Sequence, residues 1–456
     1  MQQSRFNIWV KDYPKKNEYL LFNTRTQALI NINQELKTDL DKLPYYFSSN
    51  TSSELVKNID SLIENGIIVR DEEEEETKLN EFFNQLTYNL KNSSCFEVTV
   101  LTTYSCNFKC TYCFEESVKD PVFMDKDTSD AVVAWIIDRA EQRGLKRIHI
   151  VYYGGEPLLN IRPIYDISWN IKNWAYEHNA QFSFSIISNG SLISPGLVDK
   201  LLTVNLESIR ITLDGDRRAH NSKRPFLDGR PSFDVIVNNI KNVINKVKIG
   251  IAGNFDAENI ESIPLLLDYL EDEGILQKLD KIDFSPITPR LGPKDKPGSV
   301  ELKECLAFIG KEGLFNEVIG IKKELMNRGI NIKTGLAVNA CPLIMEDIGA
   351  TIDPKGVIYR CNALVGYPEF SVGNVYNNMF DALSKKYVRF NEWKKCPKDC
   401  SYVPMCQGGC RFFSYLEHSD ILGLSCKREY FDRIIPELIK LEYEKIMKET
   451  SQPVSV

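Results

Sequence analysis

The stretch that decides the fold is FEVTVLTTYSCNFKCTYC, residues 96–113 of a chain of 456 residues. Its first eight residues are typical of a strand, because β-branched and apolar residues dominate them. Three cysteines, Cys106, Cys110 and Cys113, follow that strand directly. Three thiolates are an odd number for disulfides and one short of a closed tetrahedral metal site. The stretch therefore predicts a metal centre with one open position at the end of a strand.

Five further strand patterns follow the first, each separated from the next by a helical stretch such as DAVVAWIIDRA. The six candidates are FEVTVLTT, RIHIVYY, FSFSIISN, SIRITLDG, VKIGIAG and KIDFSPI. Six βα units in series predict an α/β fold in which a parallel sheet curves into a partial (β/α)6 TIM-like barrel. Chemistry in such folds lies at the carboxyl ends of the strands. We expect the barrel to occupy residues 96–334.

Composition limits the partners and the compartment. Apolar residues make up 43% of the chain and charged residues 26%, as in ordinary globular proteins. A net charge of -7 argues against nucleic acid as the main partner, since phosphate contacts need a basic surface. The chain starts without an apolar signal segment and has no apolar run long enough for a bilayer, so we expect a cytoplasmic protein without a membrane partner. In that reducing compartment the twelve cysteines are expected to be ligands or catalysts.

The front of the chain, residues 1–75, has another pattern. FNIWV, EYLLFNT and ALINI predict three strands, while ELKTDLDKL and SSELVKNIDSLIENG predict helices, the second capped by Ser52 or Ser53. These elements predict a winged-helix-like domain. It ends in DEEEEE, residues 71–76, which we interpret as an extended, solvated edge of a linker over 76–95 because like charges repel.

Seven of the twelve cysteines lie in the region 335–440, which precedes a tail at 441–456. They are Cys341, Cys361, Cys396, Cys400, Cys406, Cys410 and Cys426. Loops such as CPKDCSYVPMCQGGC show little helical or strand pattern and are too polar for a core of their own. We expect metal centres to stabilise the region. The chain has only four histidines, so the ligands must be almost purely thiolate, which suits iron-sulfur clusters or zinc.

The C-x3-C-x2-C spacing of the first three cysteines, with Tyr112 between them, resembles the signature of the radical S-adenosylmethionine (SAM) superfamily. The resemblance implies that Cys106, Cys110 and Cys113 hold a 4Fe-4S cluster. The iron without a protein ligand would chelate SAM, beside Tyr112, and cleave it to a 5'-deoxyadenosyl radical. A structural zinc loop is the alternative interpretation of the triplet.

Two turns resemble cofactor contacts of the same superfamily. Gly154-Gly155-Glu156-Pro157 closes the second strand, and the resemblance implies that the glycines allow close approach of the SAM amino group while Glu156 accepts a hydrogen bond. Ser188, in the Ser-Asn-Gly turn after the third strand, is similar to a residue that contacts the ribose or carboxylate of SAM. Each motif could also be a plain turn.

In the fourth strand, SIRITLDG, alternation puts Arg210, Thr212 and Asp214 on one face. If that face looks into the barrel, we expect Arg210 to pair with the SAM carboxylate and Asp214 to be a catalytic residue at the substrate. The opposite register would make both of them surface residues.

The cysteine-rich region resembles the SPASM domain of the same superfamily. The resemblance implies two auxiliary 4Fe-4S clusters, one on Cys396, Cys400, Cys406 and Cys426 and the other on Cys341, Cys361 and Cys410. The x3 spacing between Cys406 and Cys410 departs from the usual x2, which puts the local geometry in doubt more than the ligation. Some relatives place an eighth cysteine soon after the first, but CPLIMED has none. Cys95 and Cys305 are possible distant ligands. We expect instead an open iron that binds an external thiolate.

The front domain resembles the recognition element fused to maturases of ribosomally made peptides, which implies that a leader peptide adds a strand to its sheet. A structural cap or dimerisation unit is the alternative.

Together the resemblances imply a peptide maturase with three 4Fe-4S clusters and SAM, supplied by a low-potential donor such as flavodoxin or ferredoxin. We expect it to join a Cys sulfur of the precursor peptide to carbon in a thioether. Maturases that form carbon-carbon or carbon-oxygen crosslinks, sulfatase-maturing enzymes that make formylglycine, and an electron-transfer or zinc-binding scaffold without radical chemistry are the alternatives.

Overall fold

The protein is described by a computed structural model over residues 1–43, 53–113, 121–287, 312–338, 341–344, 349–377 and 391–451. The strands are β1 Gln2–Gln3, β2 Asn7–Lys11, β3 Glu18–Asn23, β4 Leu29–Asn33, β5 Ile68–Val69, β6 Cys95–Leu101, β7 Arg147–Tyr153, β8 Gln181–Ser188, β9 Leu206–Thr212, β10 Lys248–Phe255, β11 Lys281–Pro286, β12 Gly349–Ile352, β13 Val357–Tyr359 and β14 Gly373–Asn374. The α-helices are α1 Gln34–Asp41, α2 Ser53–Glu64, α3 Glu72–Lys91, α4 Lys126–Arg143, α5 Ile161–Glu177, α6 Pro195–Leu202, α7 Arg217–Lys223, α8 Phe233–Val243, α9 Ile263–Asp272, α10 Glu312–Asn327, α11 Val403–Cys406, α12 Arg411–His418 and α13 Arg428–Ser451. No helix in these ranges is long and apolar enough to cross a membrane.

The six predicted strands of the barrel are β6 to β11, and they form one sheet in the order β11-β10-β9-β8-β7-β6, continued by β12-β13-β14. All neighbours from β11 to β12 run parallel, while β13 and β14 are antiparallel. Helix α4 lies where DAVVAWIIDRA predicted it, and α9 likewise separates two strands of the sheet. The predicted α/β fold with a parallel sheet is confirmed, and the cysteine loop begins just beyond the carboxyl end of β6.

The front unit has the predicted order of elements, since β2, β3 and β4 form an antiparallel sheet followed by α1 and α2. Alternation along β3 gives this sheet two buried faces. Tyr19 and Leu21 pack with α1 and α2, whereas Leu20 and Phe22 belong to the main core of the chain. The front unit therefore shares its core with the rest of the protein. Ser52 lies outside the described residues, and Ser53 is the first residue of α2.

The prediction of an extended segment at 71–76 is wrong, because these residues begin α3. The Asp71 side chain caps this helix by accepting a hydrogen bond of 2.8 Å from the amide of Glu74. Four glutamates in the first turn lie near the positive end of the helix dipole, where negative charge is stabilising. Position in a helix thus outweighs the repulsion between these side chains. The same helix crosses most of the predicted linker, and the domain boundaries remain predictions.

The cysteine-rich region contains more regular structure than the sequence indicated. Beyond the short strands β12 to β14, the long helix α13 runs through the predicted tail as far as Ser451. One face of α13 is buried, with apolar residues at helical spacing: Ile434, Ile435, Leu438, Ile439 and Leu441. Its carboxyl half reaches the front unit, where Tyr13 donates a hydrogen bond to Glu444 and stacks edge-on against Tyr443. The predicted tail is therefore helical as far as Ser451, and its boundary at 441 remains a prediction.

Candidate active site

The loop that carries the first three cysteines lies against the segment after α7. The amide of Lys109 donates to the carbonyl of Pro225, and the amide of Thr111 donates to the carbonyl of Lys223, each at 2.9 Å. Phe108 is fully buried and packs edge-on against a second phenylalanine of that segment, with ring centroids 4.7 Å apart. These contacts hold both sides of Cys110, so the conformation of the loop depends on residues more than a hundred positions away.

Tyr112 is the centre of a buried hydrogen-bond network beneath this loop. Its hydroxyl accepts hydrogen bonds from Arg224 Nη1 at 2.6 Å and Asn254 Nδ2 at 3.2 Å, and donates to Asp214. Burial raises the pKa of Tyr112 well above its usual value, so the phenol stays protonated and available as a donor. Tyr112 ties the cysteine loop to β9, β10 and the end of α7. Its predicted contact with SAM remains a prediction.

Asp214 lies below the surface in the same network. The side chain is fully buried, and its Oδ1 accepts a hydrogen bond of 2.7 Å from the amide of Asn254. Burial raises the pKa of this carboxyl group, while Arg224, 3.9 Å away, and the hydrogen bonds oppose the rise. A fully enclosed carboxylate with these partners fits a positioning role. Its predicted role as a catalytic residue at the substrate has no support in these contacts.

Gly154 and Gly155 make the close approach that the motif predicted, but to the chain itself. A Cβ on Gly154, which has a φ of +125°, would lie 2.4 Å from the carbonyl oxygen of Thr103. A Cβ on Gly155 would lie 2.3 Å from the carbonyl oxygen of Ser105. Only glycine fits at these positions without a shift of the backbone that leads into Cys106.

Glu156 joins the carboxyl ends of β7 and β8. The fully buried carboxylate accepts hydrogen bonds from Ser188 Oγ at 2.9 Å, from the amide of Asn189 at 2.7 Å and from the amide of Leu158 at 3.1 Å. Burial raises the pKa of Glu156 to about 7, although these three hydrogen bonds oppose the rise. Both oxygens of Glu156 are thus engaged by the protein, which gives the residue a positioning role. A direct contact with SAM stays a prediction.

Asn189, more than Ser188, faces the cysteine loop. Ser188 is 3% exposed and its hydroxyl is turned toward Glu156, whereas Asn189 Nδ2 lies 2.8 Å from Asn107 Oδ1 and 3.9 Å from Cys106 Sγ. The Ser-Asn-Gly turn therefore reaches the loop through its asparagine. The predicted contact of Ser188 with the cofactor is untested by these contacts.

Arg210 projects from the inner face of the sheet, as its register predicted. Its Nη2 lies 3.3 Å from Asp283 Oδ2, and both side chains are about two fifths exposed, at 43% and 39%. On the intervening strand β10, Gly250 is the partner of Arg210 and Ala252 is the partner of Asp283, so both positions carry small residues. An ion pair this exposed is a weak constraint on either partner. Arg210 is thus available to exchange Asp283 for another carboxylate, and its pairing with SAM remains a prediction.

The inner face of the sheet is polar and incompletely covered. On the other face, strands β7 to β9 bury apolar side chains such as Ile150, Phe184 and Ile211 under the helices. The inner face carries half-buried residues, which include Thr99, His149, Val151, Ser183, Ser185, Ile187, Arg210 and Asp283. A barrel filled by its own side chains would carry large apolar residues there. This face instead suits a polar ligand.

Neighbouring thiols act on one another in the carboxyl-terminal region, although the predicted sets of cluster ligands remain predictions. Burial raises the pKa of Cys361 to about 12, and the adjacent thiols of Cys341 and Cys410 add to the rise. Burial raises the pKa of Cys396 to about 11 as well, and there the adjacent thiols are Cys406, Cys400 and Cys426. A metal binds the thiolate form, so ligation at these sites would have to displace protons that burial retains.

In the described part of the chain these thiols do not converge on a single metal ion, since no three Cys, His, Asp or Glu side chains there lie close enough to hold one. In a 4Fe-4S cube each thiolate binds a different iron, so the ligands stand further apart. Of the two possible distant ligands, Cys95 begins β6, and Cys305 lies outside the described residues.

A double-glycine turn brings the two cysteine groups together. Gly409 has a φ of +88°, and a Cβ there would lie 2.0 Å from the carbonyl oxygen of Ser425, next to Cys426. Arg411 is 1% exposed, and its guanidinium donates to the carbonyl of Gly409 at 2.8 Å. This arginine also acts on the thiols of both groups, since it lowers the pKa of Cys341 and of Cys396 against the effect of burial. A buried cation thus lies between them.

Sequence reasoning missed Arg224, Asn254 and His220. His220 is buried beside Asp214, and its Nδ1 accepts a hydrogen bond of 3.2 Å from the amide of that residue. The available signal was DGDRRAHNSKR, in which a histidine and a final arginine stand at fixed distances behind Asp214. Which of its several cations turned inward could not be read from spacing alone.

The geometry agrees with comparisons with known proteins. The model of the Radical SAM superfamily matches residues 100–270, from the end of β6 into α9. Residues 100–270 form a radical SAM domain. Domains of this family use a 4Fe-4S cluster and SAM, and the triplet Cys106, Cys110 and Cys113 lies inside the matched range.

Two curated proteins are similar to this chain. A cysteine-type anaerobic sulfatase-maturating enzyme of Clostridium novyi is 26% identical over 67% of this chain and 85% of its own length. The radical SAM cyclopropyl synthase TigE of Paramaledivibacter caminithermalis is 22% identical over 95% of this chain and 93% of its own length.

Among solved structures, SuiB of Streptococcus suis bound to S-adenosylmethionine superposes with a TM-score of 0.52, at 15% identity, over 94% of this chain and 99% of that one. This likeness shows that the fold extends over nearly the whole chain.

Proposed function

We propose that this chain is a maturase that uses its radical SAM domain to join a Cys sulfur of a ribosomally made precursor peptide to a carbon of the same peptide. The observation that carries the proposal is the group Cys341, Cys361 and Cys410, because residues 335–440 contain no further cysteine once the other four are grouped. It offers three thiols, and Cys410 is exposed at the surface. A cluster on three thiolates has a free iron to which a thiol of the peptide can bind, and binding would deprotonate that thiol and fix its position.

The residues that would hold the cofactors fit them chemically. Cys106, Cys110 and Cys113 would bind the first cluster, Cys396, Cys400, Cys406 and Cys426 an auxiliary one, and Cys341, Cys361 and Cys410 the open one. When bound, SAM and the clusters supply a radical that abstracts hydrogen and accept the electron released as the new bond forms. The protein's part is to position the loop through Tyr112 and Glu156, and to leave the inner face of the sheet open for the peptide.

The extent of the front unit supports a peptide substrate. TigE, which is named as a cyclopropyl synthase, matches 95% of this chain, whereas the sulfatase-maturating enzyme of Clostridium novyi matches 67% of it. In the front unit, β4 pairs only with β3 and leaves one edge of its sheet without a neighbouring strand among the described residues. We propose that the leader peptide adds to this edge, beside α1, through backbone hydrogen bonds.

Hydrogen exchange tests the leader site. On addition of the precursor peptide, the amides of Leu29–Asn33 should exchange more slowly, while those of Asn7–Lys11, on the opposite edge of the sheet, should not change. Protection confined to Asn7–Lys11 would place the leader elsewhere.

Mass spectrometry tests the chemistry. The enzyme is incubated anaerobically with SAM, a reductant and the short peptide encoded beside its gene, and the product is treated with iodoacetamide. A thioether removes two hydrogen atoms and makes the joined Cys resistant to alkylation. A product that has lost two hydrogens but whose cysteines all react would contradict the thioether.

The second candidate is carbon-carbon bond formation, which the match to a cyclopropyl synthase over nearly the whole chain favours. In that case the same experiment gives the mass loss without protection of any cysteine. Loss of a sulfur atom from Cys, with gain of oxygen, would instead indicate formylglycine. The three chemistries therefore give three different readings of one sample.

A further inference from the structure

Arg224 is a buried cation behind the cysteine loop. Its side chain is 10% exposed. The carbonyl groups on either side of it accept the hydrogen bonds from the amides of Lys109 and Thr111, which flank Cys110. These two hydrogen bonds tie the backbone on either side of Arg224 to the backbone on either side of Cys110.

The guanidinium of Arg224 has fewer partners than its burial demands. Nη1 donates to Tyr112 at 2.6 Å, and Asp214 is 3.9 Å away. The central carbon lies 6.0 Å from the ring of Phe108 and 5.9 Å from that of Tyr112. Nε is buried and has no hydrogen-bond partner among the described residues. Buried donors in native proteins are nearly always paired, so this one indicates that a further hydrogen-bond acceptor completes the site.

We propose that Arg224 is a positioning residue that raises the reduction potential of the first cluster by holding positive charge against Cys110. The inference rests on the proposed function, which puts a 4Fe-4S cluster on Cys106, Cys110 and Cys113. Reduction adds a negative charge to a cluster that is already anionic, so a nearby cation stabilises the reduced form more than the oxidised form. Charge and hydrogen bonds at the thiolates are among the means by which proteins set such potentials.

Changing Asp214 should shift the reduction potential of the first cluster in the opposite direction. Its carboxylate is the negative charge nearest to Arg224 in the network and partly neutralises it. Arg224→Gln removes the cation, so the reduced form should become harder to populate. Asp214→Asn keeps the shape of the side chain but removes the opposing charge, so the reduced form should become easier to populate. A merely structural role would not move the potential in opposite directions.

The matched control is Arg217→Gln. Arg217 begins α7, the helix that ends one residue before Arg224, but its side chain is 55% exposed and pairs with Asp234 at 2.8 Å. The variant Arg217→Gln loses the same charge as Arg224→Gln, but at the surface, where solvent screens that charge. The reduction potential of the first cluster in this variant should match that in the wild-type protein.

The experiment is a redox titration of the reconstituted full-length protein, followed by electron paramagnetic resonance. The first cluster is identified as the signal that changes when SAM is added. At a fixed poise near the wild-type midpoint, the ratio of reduced to oxidised first cluster should fall on the order of tenfold in Arg224→Gln, as expected for one charge at a partly buried site. It should rise in Asp214→Asn and stay unchanged in Arg217→Gln.

The outcomes separate this inference from the proposed function. If no signal responds to SAM in the wild-type protein, the assignment of the first cluster is wrong. If the signal responds but both network variants titrate like Arg217→Gln, the role of Arg224 is wrong. Should Arg224→Gln fail to assemble the cluster, Asp214→Asn and the charge-preserving Arg224→Lys decide the matter. The proposed role of Arg224 would then be overturned if the ratio of reduced to oxidised first cluster were that of the wild-type protein in Asp214→Asn. A tenfold fall of the same ratio in Arg224→Lys would also overturn it.

Discussion

Replacing Gly155 with alanine tests whether the GGEP turn sets the position of the cysteine loop. A Cβ there would lie 2.3 Å from the carbonyl oxygen of Ser105, where real Cβ contacts stay above 3.0 Å, so the backbone must move by at least 0.7 Å. The obstacle is main chain, one residue before Cys106, and cannot rotate away as a side chain would. Overpacking of this kind costs about 1–3 kcal/mol.

The expected result is a loss confined to the first cluster. Iron analysis of reconstituted Gly155→Ala should fall from roughly twelve atoms per chain toward about eight, since each 4Fe-4S cluster contains four, and deoxyadenosine formation should fall with it. The control is Gly196→Ala in α6, where an added Cβ meets nothing within 4 Å and should stabilise the helix by about 0.5–1 kcal/mol. Full iron content and wild-type deoxyadenosine formation in Gly155→Ala would refute the reasoning.

Three further substitutions test the buried contacts. Glu156→Gln puts an amide group against backbone donors, which should lower the free energy of unfolding in urea by about 1–3 kcal/mol. A decrease below a few tenths of a kcal/mol would show that the carboxylate is dispensable. Tyr13→Phe removes the hydrogen bond to Glu444 and should cost about 1 kcal/mol, with no loss if the front unit is held by packing alone. Tyr104→Phe removes a hydrogen bond of 2.8 Å to Asp353, whose pKa burial already raises. Because the folded state then holds its proton more tightly, stability should fall as pH rises through that pKa, and equal losses at pH 5 and pH 8 would contradict this sign.

The strands of the sheet could be predicted from the sequence because their patterns are local. Alternation in RIHIVYY and SIRITLDG is a property of seven or eight consecutive residues, and it separated the two faces of each strand. It left open which face carries Arg210 inward. The grouping of the cysteines followed from a family resemblance, and it remains a prediction.

The contacts within the site could not be predicted in the same way. The partner of Asp214 is Tyr112, 102 positions earlier, and no local pattern pairs two such residues. The register argument could state that Asp214 faces inward, but not that a tyrosine from the cysteine loop would cover it. Short strands such as β13 and β14, with three and two residues, fall below the length at which alternation is visible. The prediction of an extended segment at 71–76 was wrong for a different reason. The same negative charges that repel one another also favour the start of a helix.

The most direct test of the account is SAM cleavage by the variant in which Cys106, Cys110 and Cys113 are all changed to alanine. Deoxyadenosine formation in the presence of dithionite and SAM should disappear, and about a third of the iron should be lost, because no other iron in the protein would chelate SAM in this position. The cysteines at 341–426 should still bind their iron, which serves as the internal control for folding. Deoxyadenosine formation at the wild-type rate in this variant would contradict the assignment of the first cluster, and with it the proposed function.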